Sequence, residues 1–142
     1  MIASLYAAIT VTLAPISYGP IQFRVAEALT LLPFYIPEAV PGLFVGCLVA
    51  NAFSPSGALD MVVGSLATLA AAWLSRRMPS LWLAALPPVL VNMMLIGTML
   101  HFIMDLPLWS TIAYVGIGQV GACALGVPLM KLLEKSKLVK RR

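Results

Sequence analysis

Residues 81–102 of this chain contain no Asp, Glu, Lys or Arg, and residues 108–133 hold a single one, Lys131, near their end. Hydrocarbon offers no water to a free peptide group, so stretches this long and this apolar fold as helices that satisfy their own backbone. Shorter apolar runs fill most of the remaining chain. Its 142 residues are 61% hydrophobic and 10% charged, with a mean hydropathy of +0.99, whereas a soluble domain carries about a quarter of its residues as charges. The chain reads as an all-α integral membrane protein, one membrane domain over residues 1–142.

Turn signals divide it into six expected spans, at about 2–16, 25–36, 40–53, 59–74, 81–102 and 108–133. The breaks are Gly19-Pro20, Pro37, Ser54-Pro55-Ser56-Gly57, the basic pair Arg76-Arg77 and the loop at Asp105. The first segment is short for a span of about 20 residues. The second contains Pro33, which predicts a tilt or kink. Six spans put both termini on one side. The positive-inside rule makes that side the cytoplasm, because Arg76, Arg77 and the basic tail from Lys131 to Arg142 fall there, leaving Arg24 outside. Merging the second and third segments gives five spans and an outer N-terminus. With six, Trp73 and Trp82 belong to the inner interface and Trp109 to the outer one.

The net charge of +4 sits mostly in that tail, where it orients the chain and attracts anionic lipid. No basic patch carries interleaved aromatics, so nucleic acid is not an expected partner. The apolar start lacks the basic n-region of a cleavable signal, and the first span is expected to stay in the protein. Cys47 and Cys123 lie in apolar runs without CxxC spacing and read as packing residues.

Small residues recur at helical spacing in three places. They are Ala3, Ala7, Thr10 and Ala14; Gly42, Gly46 and Ala50; and Gly118, Ala122 and Gly126. Such stripes let a second helix approach closely, from another chain or from this one.

Polar side chains inside the apolar segments are few. A charge costs about 2.5–3.5 kcal/mol at mid-bilayer, so each needs a partner or a cavity. Gln22, Arg24 and Glu27 open the second segment. If that segment is helical from about Pro20, Arg24 and Glu27 are i, i+3 neighbours that can neutralise each other. Asn51 closes the third segment, and Asp60 opens the fourth, where the helix dipole favours an acid. Asn92 and Gln119 lie deeper. In the six-span topology nearly all of them converge on the outer half, as a pocket open to the outside requires. Helix capping near the outer surface accounts for Asp60 and Asp105 but poorly for Asn92 and Gln119.

Catalytic machinery is not evident. His101 is the single histidine, with no second ligand at metal-binding spacing, and no GxSxG, HExxH or phosphate-binding loop occurs. Neither metal nor cofactor is expected, and the chain does not read as an enzyme. Amides and carboxylates beside Tyr18, Phe23, Phe34 and Trp109 instead suit a flat, heteroaromatic, hydrogen-bonding ligand.

Four ordered motifs carry a resemblance over essentially the whole chain. They are Leu13-Ala-Pro-Ile-Ser-Tyr-Gly-Pro-Ile-Gln-Phe-Arg-Val-Ala-Glu-Ala-Leu-Thr-Leu-Leu-Pro33, Ala39-Val-Pro-Gly-Leu-Phe-Val-Gly-Cys-Leu-Val-Ala-Asn51, Asp60-Met-Val-Val-Gly-Ser-Leu-Ala-Thr-Leu-Ala70 and Leu86-Pro-Pro-Val-Leu-Val-Asn92. The chain resembles the QueT family of queuosine-precursor transporters. The resemblance implies a six-helix substrate-binding (S) component of an energy-coupling factor (ECF) transporter in the bacterial cytoplasmic membrane. It implies 7-deazaguanine ligands such as preQ1 or preQ0, and as partners a transmembrane coupling subunit and two ATPase subunits that hydrolyse ATP. Gln22, Arg24 and Glu27 would form or close the pocket, with Asn51, Asp60, Asn92 and Gln119 as further substrate-binding residues. Ala3 and Ala7 resemble the alanine motif by which S components dock on the coupling subunit. The chain departs from the resemblance at its shorter N-terminus and at Gln119, where an acid is expected; an amide keeps hydrogen bonding but cannot pair with a cation. A stand-alone facilitator, or an S component for another purine-like or vitamin-like solute, is the alternative.

Overall fold

Residues 25–34 are apolar on every side except at Glu27 and Thr30, and a helix with no polar face has to be surrounded by protein or lipid. A computed structural model of the chain describes residues 1–19 and 21–140. Pro20, in the expected turn, and Arg141 and Arg142, in the basic tail, lie outside the described residues. Helix α1 (Ile2–Thr12) and the short α2 (Ala14–Ser17) open the chain. The segment Val25–Phe34 follows as a 3₁₀ helix with nine of its ten residues buried. Next come α3 (Ala39–Asn51) and the long helix Gly57–Ser75. That helix is built from a first turn, α4 (Gly57–Leu59), a π-helical turn at Asp60–Gly64, and α5 (Ser65–Ser75). Helices α6 (Leu81–Ala84) and α7 (Leu86–Met104) meet at Ala85, and α8 (Leu108–Lys135) ends the bundle.

Helix α1 packs on α3, α3 on α5, α5 on α7 and α7 on α8; the 3₁₀ helix touches α8, α5, α1 and α3. Every regular element among the described residues is helical. Three of them, Gly57–Ser75, Leu81–Met104 and Leu108–Lys135, are long and apolar enough to cross a membrane. The other apolar helices have 11, 10 and 13 residues. At about 1.5 Å per residue, an α-helix of that size reaches roughly half of a 30 Å hydrocarbon core. The expected first segment, 2–16, is covered by α1 and α2 in two pieces. Its helix breaks at Leu13, because the nitrogen of Pro15 cannot bond back to the preceding turn. The second segment ends at Phe34 rather than residue 36, and it is 3₁₀ rather than kinked α-helix.

The glycine stripes face the chain's own elements. A Cβ on Gly46 would meet the Ala3 carbonyl oxygen at 2.8 Å and Tyr6 Cβ at 2.9 Å. On Gly118 it would collide with the Ile21 carbonyl oxygen, and on Gly126 it would meet the Ala28 carbonyl oxygen at 2.9 Å. Missing side chains thus let α1 sit on α3, and let the loop and 3₁₀ helix sit on α8.

One end of the bundle collects its cations. Arg77 stacks 3.7 Å from the Trp73 ring, and Lys131 Nζ lies 5.0 Å from the Trp82 ring. The Lys131 contact joins the start of α6 to the end of α8. Past α8 the chain turns at Lys137, whose φ of 60° is left-handed, and Leu138 N–H donates to the Leu133 carbonyl at 3.0 Å. Val139 then packs with Tyr35, Leu81, Ala84 and Met130. The Tyr35 hydroxyl donates to Glu134 Oε2 at 2.9 Å, tying the end of the central segment to this tail.

Candidate functional site

Two irregular helices bring the buried polar groups together. Arg24 caps the 3₁₀ helix in an extended conformation (φ −90°, ψ 99°), so its side chain leaves the stripe on which Glu27 lies. The expected Arg24–Glu27 pair does not form. The guanidinium instead donates through Nη2 to Asp60 Oδ2 at 2.9 Å and through Nη1 to Asn51 Oδ1 at 2.9 Å. Nε reaches the Ser17 carbonyl at 3.4 Å, and the Tyr18 ring lies 5.5 Å away.

Asp60 lies in the first turn of its element, as expected, and is fully buried as the ion-pair partner of Arg24. It starts the π turn, a geometry that widens a helix by one residue and re-aims its side chains. Asn51 Nδ2 donates to the Asp60 backbone carbonyl at 2.8 Å, which locks the end of α3 to that turn. Gly64 makes the approach possible. A Cβ there would stand 2.5 Å from Asn51 Nδ2 and 2.8 Å from Asp60 Oδ1.

Glu27, 1% exposed, forms the second centre. Its Oε1 accepts from the hydroxyls of Tyr6 and Thr68, the latter at 3.2 Å, and its Oε2 accepts from Asn92 Nδ2 at 3.5 Å. Helices α1, α5 and α7 therefore each send one neutral donor to one carboxylate in the central 3₁₀ helix. Cys47 lies between the two centres: Asn51 Nδ2 donates to its Sγ at 3.3 Å, and Thr68 Oγ1, whose one proton is shared with Glu27, lies at the same distance. It is more than a packing residue.

Gln22 and Gln119 are both buried, and the carbonyl oxygen of each has no partner among the described residues. Gln22 holds a left-handed φ of 52°, a conformation that costs a non-glycine residue about 1–3 kcal/mol and persists where its surroundings impose it. The closeness of Gly118 to Ile21 and to the Gln22 backbone is that constraint. Ala3 and Ala7 are half-buried on α1, Ala3 against Gly42 and Gly46 of α3 and Ala7 against the cluster around Tyr6 and Leu43. Ser4 and Ala8, one position further round, are exposed.

Sequence reading missed Tyr6, Thr68 and Gly64. The hydroxyls carry no charge and raise no alarm in an apolar run. For Thr68 a signal existed: it lies eight residues, about two helical turns, beyond Asp60.

The family model described as QueT transporter matches residues 1–135. The queuosine precursor transporter QueT of Lactococcus lactis subsp. cremoris (strain MG1363) is 41% identical over 71 residues, covering 49% of this chain and 41% of that protein. The match thus spans less than half of that relative's length. No solved structure matches the chain.

Because only hydrogen fits at position 64, Gly64→Ala must displace Asn51 or Asp60 from Arg24. A thermal-denaturation series in detergent is expected to show a loss of about 1–3 kcal/mol, the usual cost of overpacking. Wild-type stability in this variant would mean that the Arg24 cluster tolerates rearrangement.

Proposed function

The chain belongs to the QueT transporter family, and from that premise we propose that it is the substrate-binding S component of an ECF-type importer. It captures queuosine precursors, 7-deazaguanines such as preQ1 and preQ0, on the outer side of the bacterial cytoplasmic membrane. A transmembrane coupling subunit and two ATPase subunits then drive their release inward. The membrane location and the transport role follow from the family and the long apolar helices. The ligand, the partners, the six-span count and the orientation are our reading.

The observation that carries it is Glu27, a buried carboxylate held by neutral donors in the most enclosed helix of the bundle. A deazaguanine presents a ring N–H and an exocyclic amine side by side, and a carboxylate is the natural two-point acceptor for that edge. Tyr6, Thr68 and Asn92 hold Glu27 in place and are groups a ligand donor can displace. Gln22, Asn51, Asp60, Asn92 and Gln119 supply the remaining polar contacts, and Arg24 fixes the outer loop through Asn51 and Asp60. A ligand lacking the right donors leaves buried acceptors unpaired, the basis of strong discrimination.

Topology rests on the end of the bundle where Arg77, Trp82 and Lys131 gather. That end faces the cytoplasm by the positive-inside rule, and both termini go with it. Docking on the coupling subunit belongs to α1. Ala3 and Ala7 let it lie close to α3, and the exposed Ser4 and Ala8 beside them leave a flat surface for a partner helix.

Removing a hydrogen bond to a charged group costs about 1.5–3 kcal/mol, so Glu27→Ala is expected to weaken deazaguanine binding roughly ten- to a hundredfold. Glu27→Gln is expected to fall between, since one acceptor remains while a donor faces a donor. Affinity by calorimetry and stability by thermal melting are read together; a folded Glu27→Ala protein with unchanged affinity removes the site assignment.

Ala8→Trp tests the docking face without disturbing the α1–α3 contact. Ligand binding to the isolated chain should survive while copurification with the coupling subunit is lost. Intact copurification removes α1 from the interface, and uptake in cells lacking the ATPase subunits points to a facilitator instead.

A further inference from the structure

Helices α6 and α7 cannot run as one, because Pro87 and Pro88 lack the N–H groups that would bond back to Leu83 and Ala84. The Ala84 carbonyl accepts from the Ser75 hydroxyl at 2.8 Å instead. At the junction itself the Cys123 thiol of α8 donates to the Ala85 carbonyl at 3.6 Å. Ala85, Cys123 and Ala124 are all small, so this crossing leaves an open groove between α7 and α8 rather than a filled contact. Trp82, Leu86 and Val120 form its walls. All three are exposed, and the groove opens on the outer surface of the bundle.

One end of this groove is charged. Val120, Ala124, Val127 and Lys131 follow one another on α8 at three- and four-residue spacing, so they share a face. The Lys131 ammonium stands 5.0 Å from the ring of Trp82, itself a wall of the groove. No carboxylate pairs with Lys131 among the described residues, where the ion pair is that of Arg24 and Asp60. An ammonium and an indole N–H can only donate. The mouth therefore offers positive charge and donors, and the groove behind it offers apolar surface. Helix α8 has 28 residues, about 42 Å at 1.5 Å per residue and longer than a hydrocarbon core of about 30 Å. Lys131, four residues from its end, reaches the headgroup region with Trp82 beside it, and Val120 lies roughly 16 Å deeper.

We propose that this groove is a binding site for an anionic phospholipid, with one acyl chain lying between α7 and α8 and the phosphate on Lys131 and Trp82. The layout is that of an amphiphile in a bilayer: charge at the interface, apolar length along the helix. A zwitterionic lipid fits the same groove, but the cation of its own headgroup opposes Lys131. The bound lipid clamps the start of α6 to the end of α8, where the Lys131–Trp82 contact already joins them. The site stands apart from the face proposed for the coupling subunit. Helix α1 lies at the other end of the packing order α1, α3, α5, α7, α8, so lipid and coupling subunit do not compete.

The test titrates the purified full chain in detergent with phosphatidylglycerol and phosphatidylcholine of identical acyl chains, reading bound lipid by native mass spectrometry. Phosphatidylglycerol should bind about fivefold more tightly, the preference that one basic residue at the membrane surface supplies. Lys131→Gln should bring the two lipids to equal affinity; the side chain is exposed, so the fold is not at stake. Ala124→Trp removes no charge but fills the groove, and should weaken both lipids and abolish the preference. Ala124 is exposed as well, and a melting curve checks that this variant folds. Equal affinities in the wild-type chain would overturn the proposal. A preference that survives in Ala124→Trp would overturn it too, since the attraction would then be the diffuse pull of the basic tail. Normal lipid binding by Ala124→Trp together with lost copurification of the coupling subunit would make the groove a protein interface instead.

Discussion

A guanidinium cannot lose its charge inside a protein, so everything around Arg24 has to be arranged to accommodate it. The loop before the 3₁₀ helix, the end of α3 and the π turn meet on that one side chain. Asp60 neutralises it, and Asn51 ties the two by accepting from the guanidinium and donating to the Asp60 carbonyl. With Arg24 fully engaged, Glu27 is free of it, three residues away in sequence and bonded only to neutral donors. The division of labour between a closed ion pair and an open carboxylate follows from which acid the arginine reaches.

Both departures from α-helical geometry occur where these groups lie. The π turn begins at Asp60, and the 3₁₀ helix begins one residue after Arg24. Runs of 3₁₀ helix beyond about four residues are uncommon because their hydrogen bonds are poorly aligned. Here the Thr30 hydroxyl adds a bond to the Glu27 carbonyl at 2.6 Å, at the same i, i−3 spacing. Irregular backbone at membrane depth is tolerated only when enclosed by protein or lining a cavity. Helices α8, α5, α1 and α3, packed against the 3₁₀ helix, supply that enclosure. The Gly118 and Gly126 notches let the irregular segment lie flush against α8.

The helical class, the long spans and the identities of Arg24, Glu27, Asn51, Asp60 and Asn92 were legible in the sequence, because a polar side chain in an apolar run has to be explained. Their pairing was not. Assuming helical geometry from Pro20 placed Arg24 beside Glu27, whereas Arg24 sits in extended backbone ahead of the helix and its side chain reaches a residue 36 positions away. Tyr6 and Thr68 stayed hidden because a hydroxyl can satisfy itself on a helix carbonyl, as Thr10 does on that of Tyr6. Small-residue stripes announced close packing, yet spacing cannot name the partner, and the glycines of α3 and α8 turned out to face this chain. No local signal foretold the π turn, since it depends on Gly64 leaving room for side chains from two other segments.

The most direct measurement of the organising role of the Arg24–Asp60 pair is a double-mutant cycle on folding stability with Arg24→Met, Asp60→Leu and the two combined. Breaking a buried ion pair from one side strands the other charge and costs about 3–5 kcal/mol, whereas replacing both partners by apolar groups is often close to neutral. The buried pair therefore predicts two severely destabilised single variants and a double variant far more stable than their sum. Strictly additive losses would contradict it, and would mean that Arg24 and Asp60 are each satisfied independently of the other.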